Sequence, residues 1–358
     1  MTQNLLNTVF SPVKIFCHDR MWEWKYGKNI YPITMEMGIS GPGNCDNKCS
    51  FCMHGSYYQD KAMMPFGFYR KVIDELKELG TQGMIFSGSG EPLTNPEVVR
   101  FIEYTKEIGI DVALVTNGTA WRRRGVMETV IKDVSWTRTS LDAGTSETRR
   151  LIHGVDDFEH VLESLTILAR MKKRMGSDCN IGAQMVVTEE NWKEIIQATG
   201  KVKGTGIDYF QIKPVVFHPK DNKEQLPFGF WVDVLRLANE AKHHYEDDNY
   251  SVYVKYDQFE AIMKPDHDKS AYDECYAHFF PIIEATGKVY HCSQTRGLPD
   301  FEIGDLNEQT FSEFWNGERR QEVLNSIDVS QCALVCRCHW LNKMLKTVAL
   351  EENAPSFV

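Results

Sequence analysis

Six times between residues 32 and 216 a short apolar, strand-like run is followed by another element, usually of helical spacing. That alternation limits the fold more than any other feature. The strands read as 33–37, 83–87, 111–118, 134–142, 180–187 and 207–215. Helices are expected at 66–80, 95–109, about 122–132, 158–174 and 191–203. In the second of these, Asn95 is placed as N-cap, Pro96 at the first turn and Gly109 as the stop. Strands alternating with helices pack as a parallel sheet. Six units in about 185 residues fall short of a closed eight-unit barrel, which takes ~250 residues. The expected fold class is therefore α/β: a partial (β/α)6 TIM-type barrel with a smaller C-terminal α+β unit.

The rhythm stops near 216–226. The chain divides into an N-terminal extension (1–31), the partial barrel (32–216), a helical linker region (217–268) and a C-terminal unit (269–358) with five cysteines. The linker region holds a long helix near 228–246. No internal repeat or low-complexity tract interrupts this order. The aromatic run MWEWKYGKNIY (21–31) reads as packing.

A formal charge of −10 argues against a general nucleic-acid or membrane-surface binder, since either calls for net positive charge. The first 20 residues lack a basic segment followed by an apolar run, and no apolar stretch approaches the ~20 residues that cross a bilayer. The expectation is a cytoplasmic protein without nucleic-acid or membrane partners. In that compartment the ten cysteines should be reduced, and clustered ones are better read as metal ligands than as disulfides.

Three of them, Cys45, Cys49 and Cys52, lie in GPGNCDNKCSFCMHG, just beyond the first strand. Parallel barrels place their active sites at the C-terminal ends of the strands. Thiolates suit zinc and iron–sulfur clusters alike. A structural zinc site is closed by four ligands, and only His54 stands nearby as a fourth. A four-iron cluster held by three cysteines leaves one iron open to a substrate or cofactor. A zinc knuckle remains the alternative on spacing alone.

The Cys-x3-Cys-x2-Cys spacing after a first barrel strand, with aromatic Phe51 before the third cysteine, resembles the signature of the radical S-adenosylmethionine (SAM) superfamily. The resemblance implies a [4Fe–4S] cluster on Cys45, Cys49 and Cys52 whose open iron chelates SAM. It also implies reductive cleavage of SAM to methionine and a 5′-deoxyadenosyl radical that abstracts a hydrogen atom. An external electron donor such as flavodoxin or ferredoxin is then expected. The second strand ends in SGSGEPL (87–93), similar to the family's Gly-Gly-Glu-Pro motif with Ser89 in place of the first glycine. Ser89, Gly90 and Glu91 are thereby expected at SAM's ammonium group. TSLDAG (139–144) resembles the segment whose serine and aspartate, here Ser140 and Asp142, reach the ribose or carboxylate. IGAQMVV resembles the stretch along the adenine, with Gln184 facing inward. His153 stands where relatives often carry an arginine, which leaves the partner of SAM's carboxylate open. Asn117 and Lys213 sit at other strand ends and are candidates to face cofactor or substrate.

Cys275-x11-Gly287-x4-Cys292, followed by IGDLNEQTFSEFWNGERRQEVLN and CALVC, resembles a SPASM/twitch auxiliary-cluster domain. By that likeness one auxiliary iron–sulfur cluster, expected to be [4Fe–4S], sits on Cys275, Cys292, Cys332 and Cys336. The final spacing is C-x3-C-x-C, so Cys338 is an alternative to either of the last two. Cys17 and Cys179 have no assigned role, and the histidines show no metal-binding spacing.

The resemblance leaves the substrate unnamed. About 30 residues precede the first strand, too few for a leader-peptide recognition domain. A small polar substrate of the sugar, nucleotide-sugar or aminocyclitol type is thus expected over a ribosomal peptide. The expected reaction is dehydrogenation, with a closed auxiliary cluster taking the electron. Epimerisation, with Cys179 or Cys338 returning a hydrogen atom, and peptide maturation are the alternatives within the superfamily. A non-enzymatic zinc or iron–sulfur regulatory protein is the alternative outside it.

Overall fold

The structure is a computed structural model that describes residues 18–53, 58–217, 226–263, 272–276, 279–332, 335–336 and 338–350; Cys17 and His54 lie outside them. A short helix α1 (Asp19–Lys25) precedes a run of parallel strands: β1 (Thr34–Gly38), β2 (Gly83–Ser87), β3 (Asp111–Thr116), β4 (Val134–Ser140), β5 (Asn180–Val187) and β6 (Tyr209–Pro214). Between them run α2 (Phe66–Glu78), α3 (Val98–Glu107), α4 (Val126–Asp133), α5 (Ser146–His153), α6 (Phe158–Met175) and α7 (Ile195–Thr205). Each strand pairs in parallel with the next, so the order in space follows the order in sequence. The six expected strands are all present.

A seventh strand extends them. α8 (Phe228–Tyr245) leads into β7 (Ser251–Val254), which pairs in parallel with β6. The region expected as helical linker thus contributes a further helix–strand unit, followed by α9 (Tyr256–Met263). Four residues, SVYV, with only Val252 and Val254 buried, give too short an alternation to stand out in sequence.

Two local readings change. α3 begins at Val98, with Glu97 rather than Asn95 at its cap position. Asn95 is buried and donates to the carbonyls of Ile39 and Met64 (2.8 and 3.1 Å), while its Oδ1 accepts from the amide of Glu97. It braces the loop after β1 instead of capping the helix. The second change is α5, which no periodicity announced. Thr145 caps it by accepting from the amide of Thr148, and it stops at Gly154, φ +72°.

The C-terminal unit continues the same sheet. β8 (Ile282–Ile283) runs parallel to the other side of β1, and β9 (Lys288–Tyr290) and β10 (Glu302–Asp305) follow antiparallel. The β8–β9 hairpin turns at Gly287, φ +86°. Helices α10 (Phe311–Trp315), α11 (Glu318–Ser326) and α12 (His339–Leu350) complete the unit. One apolar core runs from the barrel into it, including Ile283, Val289, Phe311 and Trp315. Only part of the 21–31 aromatic run packs: Trp24 meets Tyr276 and Phe279 edge-on, at 5.3 and 5.6 Å between ring centres, and Tyr31 lies against Trp315, whereas Trp22 and Tyr26 are exposed. Among the described residues no helix is long and apolar enough to cross a membrane.

Candidate functional site

Residues from the C-terminal ends of β1 to β6 line one cavity of about 370 Å³. Cys45, Cys49 and Cys52 lie on its wall with Phe51, Ser89, Gly90, Glu91, Asn117, Ser140, Asp142, His153, Gln184 and Lys213. The fold therefore gathers, on one surface, every residue the sequence associated with SAM. Gln258 of α9 and Ser293, Gln294 and Val335 of the C-terminal unit complete the lining.

The cysteine loop is pinned from two sides. A short 3-10 turn, Pro42–Asn44, delivers Cys45, and the amides of Lys48 and Ser50 donate to the carbonyls of His153 and Ile152 in α5 (2.8 and 2.9 Å). Burial pushes the Cys45 thiol up to about 12, against the opposing backbone bond from Asn47. Burial likewise raises Cys49, with Asp142 adding to it. Thiols so placed hold their protons until a cation compensates a thiolate. Among the described residues no three Cys, His, Asp or Glu side chains converge on a single-ion site. Three thiols on one cavity wall fit a multi-iron cluster, whose ligands sit on separate irons.

The loop after β2 requires small residues. Gly88 has φ +122°, and a Cβ there would lie 2.6 Å from Gly38 Cα. A Cβ on Gly90 would collide with the carbonyl oxygens of Ser40 and Gly41. Glu91 is buried, and three donors hold its carboxylate: the amides of Asn117 (2.7 Å) and Leu93 (2.9 Å) and the hydroxyl of Thr116 (2.6 Å). Burial nevertheless outweighs them and raises its pKa to about 7. Asn117 also donates to Asp46 Oδ1 at 2.6 Å and so ties β3 to the cysteine loop.

Asp142 and His153 form a buried pair behind Cys49. Asp142 is the one non-glycine residue at positive φ (56°) among those described, a strained position held by the contacts around it. Its Oδ1 accepts from the amide of Val186 at 2.6 Å and its Oδ2 from His153 Nε2 at 3.0 Å. His153 Nδ1 lies 2.9 Å from the amide nitrogen of Asn47 and 3.3 Å from Cys49 Sγ. Asn47 donates, so the proton is assigned to Nε2. Burial, joined by the charge of Arg149, lowers the His153 pKa against Asp142's opposing pull. The histidine in the place of the family's arginine is thus neutral and committed to Asp142. Phe51 packs edge-on to its ring at 6.2 Å.

Sequence reading missed Arg149, one helical turn before His153. It is fully buried and pairs with Asp157 (2.8 Å). It also donates to the carbonyls of Ser140, Leu141 and Asn117 at 2.6, 3.0 and 3.0 Å. Burial raises Asp157, but the bonds and charge of Arg149, with a bond from Thr119, hold it below the usual carboxylate range. Arg149 therefore fastens the ends of β3 and β4 together without lining the cavity. Its only sequence signal was its i, i+4 relation to His153. Gln184 Oε1 accepts from Gln211 at 3.1 Å, which orients it along β5.

Members of the second cysteine group lie near one another. Tyr272 lies within the fields of Cys336, Cys332 and Cys275, although burial is the main cause of its raised pKa. Cys292 is raised by burial first, with Cys336 among its neighbours. His291 Nε2 sits 3.3 Å from Cys275 Sγ. Cys338 is buried at the start of α12 and outside the cavity lining. Cys179 precedes β5, at the N-terminal end of the strand, with Lys172 and Asp208 as charged neighbours, and it is not among the residues that line the cavity. It is a buried small side chain.

Comparison with known proteins agrees with this geometry. The profile of the Radical SAM superfamily matches residues 39–202, and that of an iron–sulfur cluster-binding domain, SPASM, matches 275–339. A tungsten-containing aldehyde ferredoxin oxidoreductase cofactor-modifying protein of Pyrococcus furiosus is 20% identical over 288 residues, covering 77% of this chain and 79% of that one. The AdoMet-dependent heme synthase of Methanosarcina barkeri is 24% identical over 271 residues, 69% of this chain and 71% of that one. Among solved structures, Streptococcus suis SuiB bound to S-adenosylmethionine superposes with a TM-score of 0.64 at 17% identity, covering 84% of this chain and 69% of that one. The chain thus carries a Radical SAM domain over residues 39–202, with a SAM-binding [4Fe–4S] cluster in the partial barrel, and a C-terminal SPASM domain over 275–339 with an auxiliary iron–sulfur cluster.

Proposed function

We propose that this radical SAM enzyme dehydrogenates a small polar substrate, of the sugar, nucleotide-sugar or aminocyclitol type, and passes the substrate's second electron to its auxiliary cluster. The observation that carries the reading is the composition of the cavity wall. Ser293, Gln294 and Val335 line the same cavity as Cys45, Cys49 and Cys52. Ser293 is the residue after Cys292, and Val335 the residue before Cys336. Adjacent Cα atoms are about 3.8 Å apart, so two proposed auxiliary ligands stand directly behind the wall.

Cys45, Cys49 and Cys52 would hold the SAM-binding cluster; Cys275, Cys292, Cys332 and Cys336 would hold the other. When bound, these groups supply a hydrogen-abstracting 5′-deoxyadenosyl radical and a one-electron acceptor. The chain's own part is binding and orientation. Glu91, flanked by Ser89 and Gly90, offers a carboxylate to SAM's ammonium. Ser140 and Gln184 face the nucleoside. Asp142 and His153, on the same wall, hold the cysteine loop and β5. On a wall that is mostly apolar, Asn117, Lys213, Gln258, Ser293 and Gln294 supply the few polar groups that a hydroxylated substrate would meet. The two relatives compared above are named for work on a cofactor and a heme, which supports a small substrate. Thiolate ligands require a reducing compartment, which supports a cytoplasmic setting with a flavodoxin or ferredoxin as donor.

Epimerisation would need a thiol in the cavity beyond the three cluster ligands. Cys179 sits at the wrong end of β5, and Cys338 is outside the lining. The test is product analysis with candidate substrates in H2O and D2O. Dehydrogenation gives one product two hydrogens lighter per 5′-deoxyadenosine, without solvent deuterium at the reacting carbon. A product of unchanged mass that gains one deuterium would overturn the reading.

A further inference from the structure

The C-terminal domain reaches the loop after β2 from behind the cavity. Ser89, which lines the cavity, donates its hydroxyl to Glu284 Oε2 at 2.6 Å. Glu284 stands just past β8 and is completely buried. Arg296, also buried, lies 3.4 Å from Glu284 Oε1 and donates to Glu36 Oε1 at 2.6 Å. Glu36 belongs to β1 and accepts in turn from Ser87 at 3.1 Å. One guanidinium therefore joins a carboxylate of the barrel's first strand to one from the auxiliary hairpin. Each serine of the loop is bonded to one of those carboxylates.

We propose that Glu284 is a positioning residue for SAM: it fixes the loop after β2 through Ser89, so that SAM affinity depends on a residue of the auxiliary domain. The proposal rests on the reading that this loop carries SAM's ammonium group. A carboxylate withdrawn from water holds tightly to its few donors, and Ser89 is one of them. Burial raises the Glu284 pKa even with Arg296 and Ser89 opposing, so the loss of a donor would be felt. The loop itself is confined by the Gly88–Gly38 approach, and a shift of Ser89 would be passed to Gly90 and Glu91. A glycine at position 89 has no side chain to make this link. The serine departure from the family pattern thus acquires a physical role.

The test is equilibrium dialysis of labelled SAM against the full-length protein with both clusters reconstituted. Glu284→Ala should raise the SAM Kd about tenfold, as expected for a lost hydrogen bond to a charged group. Iron and sulfide contents should stay at the wild-type level, since Glu36 and Arg296 remain a pair. In a Ser89→Gly background the same substitution should change nothing further, because the link is already broken. Glu284→Gln, which can still accept from Ser89, should restore most of the affinity. An equal loss in both backgrounds, or no loss beside Ser89, overturns the proposal. Should the alanine variant shed its auxiliary iron, Ser89→Ala reads the link from the barrel side, and an unchanged Kd there overturns it too. Glu91→Ala separates the two levels. If it weakens SAM while Ser89→Ala and Glu284→Ala do not, the positioning role alone fails. If none of the three weakens SAM, the loop is not the ammonium site, and both readings fall.

Discussion

Cys45, Cys49 and Cys52 come from one loop, whereas Cys275, Cys292, Cys332 and Cys336 come from segments spread over some 60 residues. The first group is placed by a strand end, a 3-10 turn and two backbone bonds to α5. The second is placed by a hairpin, by the entry to α12 and by the core shared with the barrel. A loop closed over a few residues costs little entropy and keeps its geometry even if distant parts shift. A site drawn from separated segments exists only once those segments have folded together. The difference teaches that the barrel site is built for chemistry at one strand end, while the auxiliary site depends on the fold of the C-terminal unit.

The largest expected effect tests the local site. Cys49→Ala should abolish reductive SAM cleavage, because the cluster loses a ligand, while about four irons per chain remain on the auxiliary site. The readouts are 5′-deoxyadenosine and iron content; substantial cleavage by this variant would break the assignment. Next comes the distributed site. Cys292→Ala should remove the auxiliary iron and the oxidised product yet leave 5′-deoxyadenosine formation measurable, so cleavage and product become uncoupled. Undiminished product would mean that the auxiliary cluster does not accept the electron.

Smaller effects sharpen the picture. Glu91→Gln should weaken SAM binding at least about tenfold with both iron contents unchanged. Because burial places the Glu91 pKa at about 7, the carboxylate that attracts an ammonium forms as pH rises through that value. SAM affinity in the wild type should therefore increase between about pH 6 and about pH 8, and this slope should vanish in the glutamine variant. A slope retained by the variant would assign the titration to another group. For folding the sign is opposite: a carboxylate whose pKa is raised on folding costs stability as pH climbs from about 4.5 to about 7. The smallest effect belongs to Cys179→Ala, which should leave product identity and yield unchanged. Loss of product without loss of fold would return Cys179 to the list of hydrogen donors.

Much of the barrel site was legible without coordinates, because each of its parts lies at the end of a strand that its own sequence announces. The spacing of Cys45, Cys49 and Cys52, the small residues around Glu91 and the inward Gln184 are all local signals. Less legible were the parts defined by side chains meeting across the fold. Arg149 looks like an ordinary helix-surface arginine until three carbonyls and Asp157 close around it. Asp142 was expected to face SAM, and its two oxygens are already engaged by Val186 and His153. β7 is too short to declare itself, and it forms because β6 offers a free edge.

By itself, then, the sequence determined the parallel alternation, the strand ends at which chemistry is arranged, and a thiol spacing that zinc or a cluster with an open iron could use. Those features depend on periodicity and on residues a few positions apart, which the chain order alone records. Tertiary structure decided which charges are buried and what compensates them. It made His153 neutral, gave Glu91 a pKa near 7, and brought Glu284 and Arg296 from the far end of the chain to the back of the SAM loop. Burial and long-range pairing belong to the packed molecule: a carboxylate's environment is set by neighbours some two hundred residues away, and no local pattern carries that information.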